Sequence, residues 1–275
     1  MQWFVPRIYL ANKLVGMPKL RALDFFNAAF ARRYFDSDPS GSCDDVVVLL
    51  HGTFGSTASH FGLIFPELAR DRRVIGLDLQ VETDLQLSGL TDQVEALIGG
   101  LGLRTPHIIG YSLGAVVAAA YAGEHPNSVG QLVLLGGWAR TDAHQKLRSD
   151  LWFRLRDSDE AALREFIALS VFGPEFLAGM TPAQLATTKN SVRLTDAGDA
   201  QMRLNRDIDI RDLAQSITAE TLVLSCAQDA MVPPHHQREL SQLIEDSHVE
   251  FLPGGHGIVF ENPDAVVAAI NEFLD

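Results

Sequence analysis

The sequence predicts an α/β fold in which an open, mostly parallel sheet carries helices on both faces. Three observations predict it. Short β-branched runs alternate with longer helix-patterned stretches, as parallel strands joined by crossover helices require. Those runs are mostly continuous apolar blocks, the pattern of strands buried on both faces. The chain of 275 residues, 47% of them hydrophobic, is long enough to bury one sizeable core.

Taken in order, the N-terminal stretch "MQWFVPRIYLANKLVGMPKL" is apolar, but Pro6, Arg7, Asn12 and Lys13 interrupt it too early for a signal peptide. Segment 18–35, "PKLRALDFFNAAFARRYF", reads as an amphipathic helix with a proline start and Leu20, Leu23, Phe26 and Phe30 on one side. Such an N-terminal helical extension is expected to act as a lid, a dimer contact or a packed surface helix. No antiparallel hairpin is evident before the first apolar run. Strands are expected at 46–50, 73–78, 107–111, 131–136, 221–226 and 249–253. Helices are expected at 56–70, 91–101, 113–124, 235–245 and 263–274. The rhythm breaks over 138–215, where "ALREFIALSVF" and "PAQLATTKNSV" repeat at helical spacing, so a helical insertion is expected there.

The formal net charge of −13 argues against nucleic acid, which proteins bind largely through Lys and Arg. No segment reaches the roughly 18 uninterrupted apolar residues of a membrane helix. Two cysteines, Cys43 and Cys226, make neither a disulfide framework nor a metal cluster and are expected as free thiols. A cytoplasmic protein with a small-molecule substrate follows, its oligomeric state left open.

The chemistry concentrates at strand ends. In "GYSLG" (110–114) Ser112 lies between two glycines at a strand-to-helix junction, where a sharp turn needs small neighbours and the next helix N-terminus directs unpaired N–H groups toward the same place. A serine hydroxyl needs a base, and the base needs an acid to hold its tautomer. His256, in "LPGGHGIVFENP" after the last strand, is the candidate base. Asp229, in "QDAMVP" after strand 221–226, is the preferred acid, with Asp142 after strand 131–136 as competitor. Ser, acid and His then follow the chain order of one hydrolase class. Acyl transfer also needs donors for an oxyanion. "LLHGTFGST" (49–57) supplies a Gly-containing loop, from which the Thr53 N–H, or alternatively that of Phe54, would join the Leu113 N–H, with His51 bracing the loop. Neither a P-loop nor a dinucleotide fingerprint is present, so nucleotide binding is not expected.

With "HGTFGS", "GYSLG", "QDAMVP" and "GGHG" in this order, residues 44–275 resemble the α/β-hydrolase superfamily. The resemblance implies an eight-stranded, mostly parallel sheet, a helical cap over the site, and a Ser112–His256–Asp229 triad needing no metal and no organic cofactor. The core would then be 1–137 with 216–275, and the cap 138–215. Substrate walls are expected from Phe54, Trp138, Trp152, Phe153, Phe166 and Phe172, with Phe176 nearby. One departure is the absence of glycine between "GLD" (76–78) and Gly89, which predicts a rearranged pocket on that side. The expected activity is hydrolysis of an ester, thioester or lactone of a small to medium apolar acid. C–C bond hydrolysis, acyl transfer and cofactor-free haloperoxidation are the alternatives on the same residues, and a non-turnover receptor is the alternative of another class.

Overall fold

The computed structural model describes residues 21–23, 32–81 and 84–275. In chain order the elements are β1 (Arg21–Leu23), β2 (Arg32–Asp36), β3 (Val46–Leu50), α1 (Thr57–Phe61), α2 (Phe65–Leu68), β4 (Arg73–Asp78), α3 (Leu87–Leu101), β5 (His107–Tyr111), α4 (Leu113–Glu124) and β6 (Gln131–Leu135). Six helices follow before the next strand: α5 (Ala143–Ser158), α6 (Glu160–Val171), α7 (Pro174–Ala178), α8 (Pro182–Ser191), α9 (Asp196–Asn205) and α10 (Arg211–Ala214). The chain closes with β7 (Glu220–Cys226), α11 (His235–Leu243), β8 (Ser247–Leu252), α12 (Ile258–Glu261) and α13 (Pro263–Leu274). Eight strands among the described residues form one sheet in the order β1-β2-β4-β3-β5-β6-β7-β8; β2 runs antiparallel to both of its neighbours, β1 and β4, and all the other pairings are parallel.

The continuous apolar runs are explained by what each face meets. In β3, Val46, Val48 and Leu50 join the cluster under α3 and α4, while Val47 and Leu49 join the cluster under α1, α2 and α13. Both faces are therefore dry, and an alternating strand would have left polar side chains in one of the two layers. Helix α4 lies deepest, with every residue from Leu113 to Gly123 buried. Its Gly and Ala residues permit that closeness: a methyl group at Gly114 would lie 2.0 Å from the Leu50 carbonyl oxygen.

The expected helix over 18–35 is overturned where it is described. β1 and β2 pair antiparallel, and β2 pairs antiparallel with β4. Its residues Tyr34 and Phe35 are buried, and the buried Asp36 takes a two-point hydrogen bond from Arg73 of β4 at 3.0 and 2.8 Å. Without β2, the outer edge of β4 would leave a row of backbone donors and acceptors unpaired, so sheet pairing overrides the helical spacing. The remainder of that reading, at 18–20 and 24–31, lies outside the described residues. The expected helix over 56–70 is two short helices, α1 and α2. Cys43 and Cys226 are free thiols, and among the described residues no helix is long and apolar enough to cross a membrane.

Candidate active site

Parallel strands place their following loops at one sheet edge, and four of these loops converge. After β5 the chain turns at Ser112 with φ 57° and ψ −121°, a conformation disfavoured for a residue bearing a side chain. The turn is held by Ser112 N–H donating to the Leu135 carbonyl at 2.8 Å, and by Gly110 and Gly114, where side chains would strike backbone. After β7, Asp229 Oδ1 accepts from the Met231 and Val232 amides at 2.8 and 2.7 Å, which leaves Oδ2 free to face the loop after β8.

There His256 Nδ1 lies 2.6 Å from Asp229 Oδ2, and His256 Nε2 lies 2.9 Å from Ser112 Oγ. With the aspartate ionised, Nδ1 carries the proton and Nε2 accepts from the serine hydroxyl. All three side chains are buried. Hydrogen bonds from several sides hold the histidine loop. Tyr111 donates its hydroxyl to the His256 carbonyl at 2.9 Å, and Gly257 N–H donates to the Val171 carbonyl at 2.7 Å. The Glu261 carboxylate accepts from Gly255 and Gly173 N–H, while burial raises its pKa against those bonds. Asp142 lies elsewhere: it caps α5 by accepting from Gln145 N–H at 3.0 Å and contacts His235.

The loop after β3 lies beside the serine. Leu79 N–H donates to His51 Nε2 at 3.0 Å, so His51 Nδ1 carries the proton and donates to the Gly52 carbonyl at 2.9 Å. His60, from α1, accepts the Gly52 N–H on Nδ1 at 3.1 Å; burial and the neighbouring histidines push its pKa down to about 3, so it is a neutral prop. The Phe54 N–H is already engaged by Gln201 Oε1 at 2.9 Å, which removes it as a spare donor. Thr53 is held instead through its side chain, whose Oγ1 accepts from Asn205 Nδ2 at 3.0 Å. Leu113 opens α4 and its N–H has no carbonyl one turn earlier to meet.

A cavity of about 540 Å³ opens on Ser112 and His256, walled by helices α5, α6, α8 and α9 and by the loop after β3. Of the residues singled out in the sequence, Thr53, Phe54, Trp138, Trp152, Phe166 and Phe172 line it. Phe153 does not line it; it packs edge-to-face on Trp152 at 4.9 Å in the small core of the helical segment. Phe176 is also off the wall, buried and stacked on Phe172. Other wall residues carried no signal in the sequence, among them His60, Gln145, Arg148 and Ser149. The last three share one face of α5 with Trp152, at a spacing that in isolation describes a solvated helix face.

The profile of a family described as the alpha/beta hydrolase family matches residues 47–269. Pyrrolizixenacetamide deacetylase from Xenorhabdus hominickii is 29% identical over 239 residues, covering 83% of this chain and 90% of that protein. A 2-hydroxy-6-oxo-2,4-heptadienoate hydrolase from Pseudomonas putida is 29% identical over 265 residues, 83% of this chain and 88% of its own. Among solved structures, a thermophilic esterase from Thermogutta terrifontis superposes with a TM-score of 0.75 at 22% identity, over 93% of this chain and 98% of that one, a likeness of fold.

Proposed function

The chain belongs to the alpha/beta hydrolase family, and from that premise we propose that it is a serine hydrolase that cleaves an ester, thioester or lactone of a small to medium acyl group. The observation that carries this reading is the hydrogen-bonded series Ser112 Oγ, His256 Nε2 and Nδ1, Asp229 Oδ2, at 2.9 and 2.6 Å, opening on an enclosed cavity.

In this reading Ser112 Oγ attacks the acyl carbon while His256 Nε2 takes its proton, and Asp229 holds the imidazole and stabilises its charged form. The oxyanion is met by the Thr53 and Leu113 N–H groups. His256 then gives its proton to the leaving group. Water, deprotonated by the same nitrogen, releases the acid from the acyl-enzyme. Each step is carried by residues of the chain itself. Residues 138–215 act as the cap, with their helices walling the acyl pocket above the sheet edge. The free thiols Cys43 and Cys226 support work in a reducing compartment, the cytoplasm.

A fluorophosphonate probe and a chain-length panel of oxygen esters, thioesters and lactones test the reading on wild type and Ser112→Ala. An acetamide is added because one relative is named a deacetylase. Wild type is expected to be labelled at Ser112, and the alanine variant to lose label and about 10⁵–10⁶ of turnover. Undiminished hydrolysis by the alanine variant removes Ser112 as nucleophile. A wild type that neither labels nor turns over favours the receptor reading.

A further inference from the structure

The cavity wall carries a charge asymmetry that ester cleavage does not require. The chain holds 35 Asp and Glu against 22 Lys and Arg. Yet among the described residues the wall includes Arg148, Arg164 and Arg193 and no carboxylate side chain. Arg164 is already occupied: it pairs with Glu160 at 2.7 Å and donates to the Lys189 and Val192 carbonyls at 3.2 and 2.8 Å. Arg193 is exposed.

Arg148 differs from both. Its Nε is fully buried without a hydrogen-bond partner, and no carboxylate of the described residues lies within ion-pair distance of its guanidinium. One residue along α5, Ser149 Oγ is also buried and unpartnered, and it lines the same cavity. Burial lowers the arginine pKa to about 10, opposed by the field of Asp229, so the group is charged at neutral pH and close enough to the Ser–His–Asp series to sense it. A buried cation without an anion is costly in a folded protein. A substrate that brings the anion removes that cost, and a planar fork of N–H donors fits a carboxylate at two points.

We propose that Arg148, assisted by the Ser149 hydroxyl, binds a carboxylate of the substrate, so that the acyl compound cleaved at Ser112 is an acid as well as an ester. This rests on the hydrolase reading of the Ser112 site. The carboxylate belongs either to the acyl part or to the leaving group, and matched pairs of substrates separate the two. On the acyl side, mono-p-nitrophenyl pimelate is compared with its neutral methyl-capped form. On the leaving-group side, 4-acetoxybenzoate is compared with methyl 4-acetoxybenzoate.

The expected result is a kcat/KM ratio of acid to neutral substrate of about tenfold or more in one pair. Arg148→Met brings that ratio to about one, and Arg148→Lys keeps part of it. Because the ratio is taken within one variant, a general loss of turnover cancels. The thermal midpoint of Arg148→Met is expected to match or exceed wild type, since a buried charge with no partner is removed; a structural arginine would lower it. Calorimetry of mono-p-nitrophenyl pimelate and 4-acetoxybenzoate on Ser112→Ala, with and without Arg148→Met, reads the anion subsite without turnover. Neutral esters hydrolysed at Ser112 with no acid preference in either pair would overturn the carboxylate assignment and leave the hydrolase standing. Acid binding that requires Arg148 in a protein without turnover would do the reverse. A preference that survives Arg148→Met also overturns the assignment.

Discussion

Ser112 is held in a backbone conformation that only its surroundings stabilise. Its φ of 57° is imposed between a strand and a helix that cannot separate, because Gly110 and Gly114 let the two backbones touch. Strain of about 1–3 kcal/mol at such a residue persists where the neighbouring structure over-determines it, and the gain is a hydroxyl carried clear of the sheet toward His256. The two candidate acids separate at this same scale. Asp229 spends one oxygen on two backbone amides and the other on His256, whereas Asp142 spends its carboxylate on the α5 cap and His235. Asp229→Asn is therefore expected to lower kcat by about 10⁴, since an amide favours the wrong imidazole tautomer. Asp142→Asn leaves a capping residue in place and is expected to change kcat less than about threefold, with the thermal midpoint nearly unmoved. Steady-state kinetics on the two variants decide it, and the reverse order would move the acid to the end of β6.

At the scale of elements, α9 governs the loop after β3. Gly198, Gln201 and Asn205 recur along one face of this helix; Gly198 lies against the Phe54 ring, Gln201 takes the Phe54 amide, and Asn205 holds the Thr53 hydroxyl. The helix thereby fixes which loop amide stays unspent beside Ser112. Gln201→Leu is expected to lower kcat about tenfold with little change in KM, because a released Phe54 N–H lets the loop shift by a fraction of an ångström. A change confined to KM would mean that α9 only shapes the pocket. None of this was legible beforehand, since Gln201 and Asn205 act across sequence separations of 147 and 152 residues, and polar residues on a helix ordinarily face water. Ser112, Asp229 and His256 were legible because each follows a strand within a glycine- or proline-marked turn, so local signals alone place them on one edge. The strands over 46–50, 107–111 and 221–226 were legible for a related reason: both of their faces are dry, so their composition records it. β2 was not, because its stability comes from the unpaired edge of β4 and from Arg73, partners about 40 residues away that helical periodicity does not register.

For the whole molecule, buried histidines tie stability to pH. His236, fully buried with no hydrogen-bond partner on either ring nitrogen, has its pKa lowered to about 4 by burial and by the charge of His235, with Asp142 opposing. His51 is lowered as well, chiefly by burial. Both are neutral in the fold where the unfolded chain, with an ordinary histidine pKa near 6.5, takes up protons. Above about pH 6.5 neither state binds a proton and the contribution is fully present. As pH falls from about 6.5 toward 4, the unfolded state alone is protonated, and each such group withdraws about 1.4 kcal/mol per pH unit. Below about 4 His236 titrates in the fold too, and its share levels off. The chain is therefore expected to melt at a lower temperature at pH 5 than at pH 7.5. His236→Phe keeps the ring volume and removes the titration, so its midpoint should fall by several degrees less over the same interval. Thermal melts of wild type and variant at the two pH values check this, and equal falls in both proteins would assign the acid sensitivity to the other buried histidines, His51 and His60, or to carboxylates.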